Sequence, residues 1–129
     1  MCVIFKVSVV KSFQIAEGMA FINGQDRKIF HGDLAARNIL LTDEKIAKVS
    51  DFGQSKCLLY LDLTPKFIDG KAQAFRWMAP ESITRWIQGC RLTSSEGDVW
   101  SYGVVMWEIF SLADRPWEGE ICEKLYPPP

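Results

Sequence analysis

Hydrophobic and polar positions alternate along the chain with several different periods. Between Phe13 and Ile22 the apolar residues Ile15, Met19 and Ile22 recur three and four positions apart, with small Ala16 and Ala20 beside them. That spacing puts one stripe on an α-helix and predicts an amphipathic helix ending near Asn23-Gly24. Ile39-Leu40-Leu41 and Ile46-Ala47-Lys48-Val49 flank the polar run Thr42-Asp43-Glu44-Lys45, which predicts two short strands around a turn. Residues 51 to 79 keep neither period and contain Gly53, Pro65 and Gly70, so they read as a long loop. Pro80 suits the first turn of a short helix, where its missing N–H costs nothing. From Gly97 to Leu112 apolar side chains point in every direction around a helix, which predicts a central helix buried on all sides. The run from Met1 to Val10 is broken by Lys6 and is too short to cross a bilayer, so residues 1–12 stay unassigned. The fold class expected from this pattern is mainly α with a small β-hairpin.

Composition narrows the function classes. A chain of 129 residues, 48% apolar and 24% charged, is long enough for one modest globular domain. Its net charge of -1 leaves no cationic surplus for a phosphate backbone, which argues against a nucleic-acid partner. His31 is the sole histidine, which excludes multi-histidine metal sites. Cys2, Cys57, Cys90 and Cys122 form no C-x-x-C pair, so zinc knuckles lack their ligand spacing and reduced thiols are the expectation.

The stretch His31-Gly32-Asp33-Leu34-Ala35-Ala36-Arg37-Asn38, followed by the hairpin and then Asp51-Phe52-Gly53, concentrates the chemistry. It places two carboxylates and a carboxamide, Asp33, Asn38 and Asp51, at the mouth of a hairpin that can bring them together. Hard oxygen donors of this kind suit a magnesium ion that takes the rest of its shell from water and phosphate. A third group is left to orient a hydroxyl.

These blocks resemble the catalytic loop and metal-binding triplet of protein kinases. The tyrosine-specific branch is the nearest fit, through Leu34-Ala35-Ala36-Arg37-Asn38, Arg76-Trp77-Met78-Ala79-Pro80-Glu81 and the segment from Asp98 to Glu108, all in family order. Trp107-Glu108-Ile109-Phe110-Ser111-Leu112 resembles receptor kinases of the growth-factor class. The resemblance implies magnesium-dependent transfer of the ATP γ-phosphoryl group to a protein tyrosine. It implies Asp33 as the base, Arg37 as a group placing the phenolic substrate, and Asn38 and Asp51 as the residues holding Mg2+ against ATP. Phe52 would pack under the site, and Gly53 would allow the backbone reversal that aims Asp51. Asp98 would accept backbone hydrogen bonds from the catalytic loop, and His31 would brace the metal triplet, both structurally. Tyr60, in the long loop, is a candidate regulatory phosphorylation site, with a plain surface tyrosine as the equal alternative.

Departures from the family pattern shape a second reading. Gly32 stands where most of the family has an arginine that clamps a phosphorylated loop residue. Ala74-Phe75 replaces the usual Pro-aliphatic pair, and Glu81 is expected to be a buried carboxylate lacking its arginine partner. No G-x-G-x-x-G occurs, and 30 residues precede His31. Residues 13–129 are therefore expected to be a partial kinase domain, a large lobe truncated at both ends, weak in ATP binding and exposing apolar surface. The alternative function is a catalytically inactive fragment or pseudokinase-like interaction module. The expected location is the cytoplasmic side, with any membrane attachment through a receptor segment outside these residues.

Overall fold

A computed structural model describes residues 3–24, 26–57, 75–88 and 93–117. The first element, α1 (Val3–Asn23), is longer than its apolar stripe predicts. Nothing between Val3 and Ser12 breaks a helix, and the buried Ser12 hydroxyl donates back to the Ser8 carbonyl at 2.8 Å. Ile15 and Met19 are buried, and with Leu34, Ala47 and Val105 they form the core.

β2 (Ile39–Leu41) and β3 (Ala47–Val49) form the expected antiparallel hairpin, with Ile39 opposite Val49 and Leu41 opposite Ala47. It lies against α1, where Gln14 Oε1 accepts the Ala47 N–H at 2.9 Å. Gly18 permits the approach, since a Cβ there would lie 3.3 Å from Val49 Cγ2. A second two-stranded sheet pairs β1 (Ile29–Phe30) with β4 (Lys56–Cys57). The long-loop reading of 51–79 is corrected at its start, because Phe52–Gln54 is a 3-10 turn that leads into β4. Strands this short carry no periodic signal, and their partner lies far off in sequence.

Pro80 opens α2 (Pro80–Ile87), as its position in the first turn predicts. The last helix, α3 (Ser95–Phe110), starts two residues before the apolar pattern, because Ser94 caps it by accepting the Gly97 N–H at 3.1 Å. It crosses α1, where the Tyr102 hydroxyl donates to the Ser12 carbonyl at 3.0 Å and burial pushes that phenol above its ordinary pKa. The expectation that α3 is buried on all sides is overturned. Val99 is 70% exposed, and Trp100, Trp107 and Phe110 are also exposed, while Asp98, Ser101, Val105 and Glu108 are buried. One face packs on α1, the loop before β2 and the turn Phe75–Trp77, and the opposite face stays open to solvent. Among the described residues no helix is long and apolar enough to cross a membrane.

Candidate active site

The site is built on backbone that α3 holds from below. Asp98 is 3% exposed, and its two carboxylate oxygens accept the N–H groups of His31 at 2.7 Å and Gly32 at 2.9 Å. Such a buried charge is tolerable because donors of fixed geometry surround it. Asn23 at the end of α1 adds a third donor at 3.5 Å. Gly32 turns the chain with φ +76, and a Cβ there would lie 2.8 Å from Thr93 Cγ2, so glycine is demanded twice.

His31 is fully buried between the two halves of the site. Its Nε2 lies 2.9 Å from the Ser50 carbonyl, which can only accept, and its Nδ1 accepts the Asp33 N–H at 3.3 Å. Those partners hold the ring between the loop and the residue before Asp51. Phe52 lies against it with the rings tilted by 53° and their centres 5.0 Å apart, although 45% of Phe52 remains exposed.

Asp33, Arg37 and Asn38 come together through the 3-10 turn Ala36–Asn38. One carboxylate oxygen of Asp33 pairs with the Arg37 guanidinium. The other accepts from Asn38 Nδ2 at 3.3 Å, and the same Nδ2 donates to the Asp33 carbonyl at 2.7 Å. The Asp33 carboxylate is thereby held from two sides. Its side chain is 16% exposed, so one edge still meets solvent.

Asp51 joins through the hairpin. The Asn38 carbonyl accepts from Ser50 N at 2.9 Å and Ser50 Oγ at 2.8 Å, so the residue beside Asp51 is stapled to Asn38. Asp51 is exposed, and its carboxylate accepts the Gly53 N–H at 3.3 Å. The backbone reversal expected of Gly53 lies instead at Asp51 itself, φ 61, stabilised by that same contact.

Asn38 and Asp51 are oxygen donors of the kind a hard cation such as Mg2+ takes. Asn38 spends its amide nitrogen on Asp33, which leaves the carboxamide oxygen as the atom able to meet a cation, and Asp51 adds a solvent-facing carboxylate. Among the described residues no three His, Cys, Asp or Glu side chains cluster as a metal cage. A cation held by one amide and one carboxylate must complete its shell from water and phosphate, as Mg2+ does.

Glu81 is corrected. It is exposed in the first turn of α2, where an acid suits the positive helix end, and is not a buried carboxylate in need of a partner. Tyr60 and Ala74 lie outside the described residues. Phe75 sits edge-on against Trp86, ring centres 4.2 Å apart. Sequence reasoning passed over Glu108 as a functional position. Its Oε2 accepts the Ala36 N–H at 2.9 Å and the Trp77 indole N–H at 2.8 Å. A carboxylate inside so apolar a run was the available signal, since such a charge persists only where donors meet it.

Comparison with known proteins shows the family of the chain. The family model for protein tyrosine and serine/threonine kinases matches residues 4–126. The chain is 38% identical over 122 residues to fibroblast growth factor receptor 1 of Xenopus laevis, covering 95% of this chain and 14% of the receptor. The same receptor of Pleurodeles waltl is 37% identical, again across 95% of this chain and 14% of the relative. The chain therefore spans about one seventh of the length of these curated relatives.

Proposed function

The chain belongs to the protein tyrosine and serine/threonine kinase family, and from that premise we propose that it supplies the catalytic-loop part of a protein tyrosine kinase of receptor type. The reaction is transfer of the ATP γ-phosphoryl group to a protein tyrosine. The described residues correspond to a portion of the large C-terminal lobe, on the cytoplasmic side where ATP is found.

The observation that carries the proposal is the Asp33 carboxylate held by Arg37 on one oxygen and by Asn38 on the other. Asp33 accepts the hydrogen bond of the tyrosine hydroxyl and takes its proton late in transfer. Arg37 steers the phenol toward it. Asn38 and Asp51 would hold Mg2+ against the ATP phosphates, where such an ion would supply neutralisation of charge on the transferring group. The loop fixes the geometry that makes the reaction unimolecular in effect.

The test is phosphotransfer from radiolabelled ATP, with Mg2+, to a peptide whose sole hydroxylic residue is tyrosine, using the protein at its natural length. Labelled tyrosine is expected, reduced about 10³-fold or more in Asp33→Asn. No label above background overturns the proposal in favour of a non-catalytic interaction module. Gly32 favours that second reading, because it provides no guanidinium to answer a phosphorylated loop residue.

A further inference from the structure

We propose that Glu108 is a positioning residue that sets the Arg37–Asp33 pair through the ring of Trp77. The Arg37 guanidinium carbon lies 4.5 Å from the centre of the Trp77 ring, so the indole is the shelf on which the cation rests while it pairs with Asp33. That shelf is pinned at both ends by α3. Ser101 Oγ donates to the Trp77 carbonyl at 2.6 Å, and Glu108 Oε2 accepts the indole N–H at 2.8 Å.

The same Glu108 oxygen accepts the N–H of Ala36, the residue before Arg37, at 2.9 Å. One buried oxygen thus fixes both the backbone from which Arg37 springs and the surface its guanidinium covers. An arginine side chain loses much rotamer entropy when held, and Arg37 is 40% exposed, so the pairing with Asp33 needs a preorganised support to persist. Glu108 touches no reacting atom. Its influence reaches Asp33 by way of Trp77 and Arg37, and its catalytic consequence rests on the kinase reading above.

The experiment has a spectroscopic arm that needs no turnover and a kinetic arm that does. In the full chain, 15N relaxation of the Arg37 Nε–H and exchange of the Trp77 indole N–H are measured for wild type, Glu108→Gln, Glu108→Leu and Trp77→Phe. Glu108→Leu keeps volume and removes the acceptor, so both groups are expected to be freed, with indole exchange at least about tenfold faster. Glu108→Gln retains an acceptor oxygen and restores order. Trp77→Phe keeps a ring but loses the N–H, and it is expected to free Arg37 while Ala36 stays protected.

In the kinetic arm Glu108→Leu is expected to lower kcat at least about tenfold with KM for Mg-ATP within about twofold, and Glu108→Gln to recover most of it. Arg37 as rigid in Glu108→Leu as in wild type overturns the proposal. So does an unchanged Arg37 in Trp77→Phe, which also decides the matter should the leucine variant fail to fold. Absence of phosphotransfer by the wild type sinks the kinase reading alone, because the spectroscopic arm still judges the relay.

Discussion

The two faces of α3 invert the usual arrangement. The inner face carries Asp98, Ser101 and Glu108, which are buried and hydrogen-bonded to the loop His31–Ala36 and to Trp77. The outer face carries Val99, Trp100, Trp107 and Phe110, which are apolar and exposed. The polar groups lie at positions 98, 101 and 108, with Val105 among them, on one helical stripe, so a single rigid rod presents three acceptor or donor points at fixed intervals. The contrast teaches that here the inner face serves as a template for irregular backbone. Loop N–H groups have no ladder to join, and buried side-chain oxygens take the place of strand partners.

The sharpest way to break this contrast is Asp98→Ala, which removes the carboxylate that accepts the His31 and Gly32 N–H groups. A loss of roughly 3–5 kcal/mol in unfolding free energy is expected, measured by urea titration, together with loss of any phosphotransfer. A loss below about 1 kcal/mol would show that solvent replaces the carboxylate and that the inner face is no template.

Gly32→Ala probes the loop rather than the helix. A left-handed φ and the contact with Thr93 predict a cost of about 2 kcal/mol by the same titration. Adding Thr93→Ala is expected to return part of it, since the clashing Cγ2 goes, as does a buried hydroxyl that has no hydrogen-bond partner among the described residues. Equal stability of the single and double variants would place the whole cost in the backbone dihedral.

On the outer face, Val99→Gln is expected to change stability by no more than about 0.5 kcal/mol, because a side chain 70% exposed gives up little transfer energy. A melting curve of that variant sharpens the comparison from its weak side. A cost approaching that of Asp98→Ala would mean the outer face is covered in solution.

The grouping of the candidate site residues follows in part from local sequence. Asp33, Arg37, Asn38 and Asp51 stand in a short ordered stretch, and the β2–β3 hairpin between Asn38 and Asp51 follows from an apolar-polar-apolar run with its turn. The helical stripe Ile15, Met19 and Ile22 marked the inner side of α1, with Ile15 and Met19 in the core. What escaped was long-range. The β1–β4 pairing joins segments 28 residues apart at Ile29 and Cys57. Glu108 meets Ala36 across 72 positions. No local period encodes either contact.

The sequence by itself determined where the hairpin runs, which face of α1 turns inward and that Asp33, Arg37, Asn38 and Asp51 stand in one short stretch, because residue type, turn chemistry and side-chain period act over a few neighbouring positions. Only the tertiary structure decided that Asp51 rather than Gly53 takes the left-handed turn, that Glu81 faces water, and that α3 buries Asp98 and Glu108 and exposes its tryptophans. Each of those outcomes depends on which donors and surfaces arrive from distant parts of the chain, and that is a property of packing.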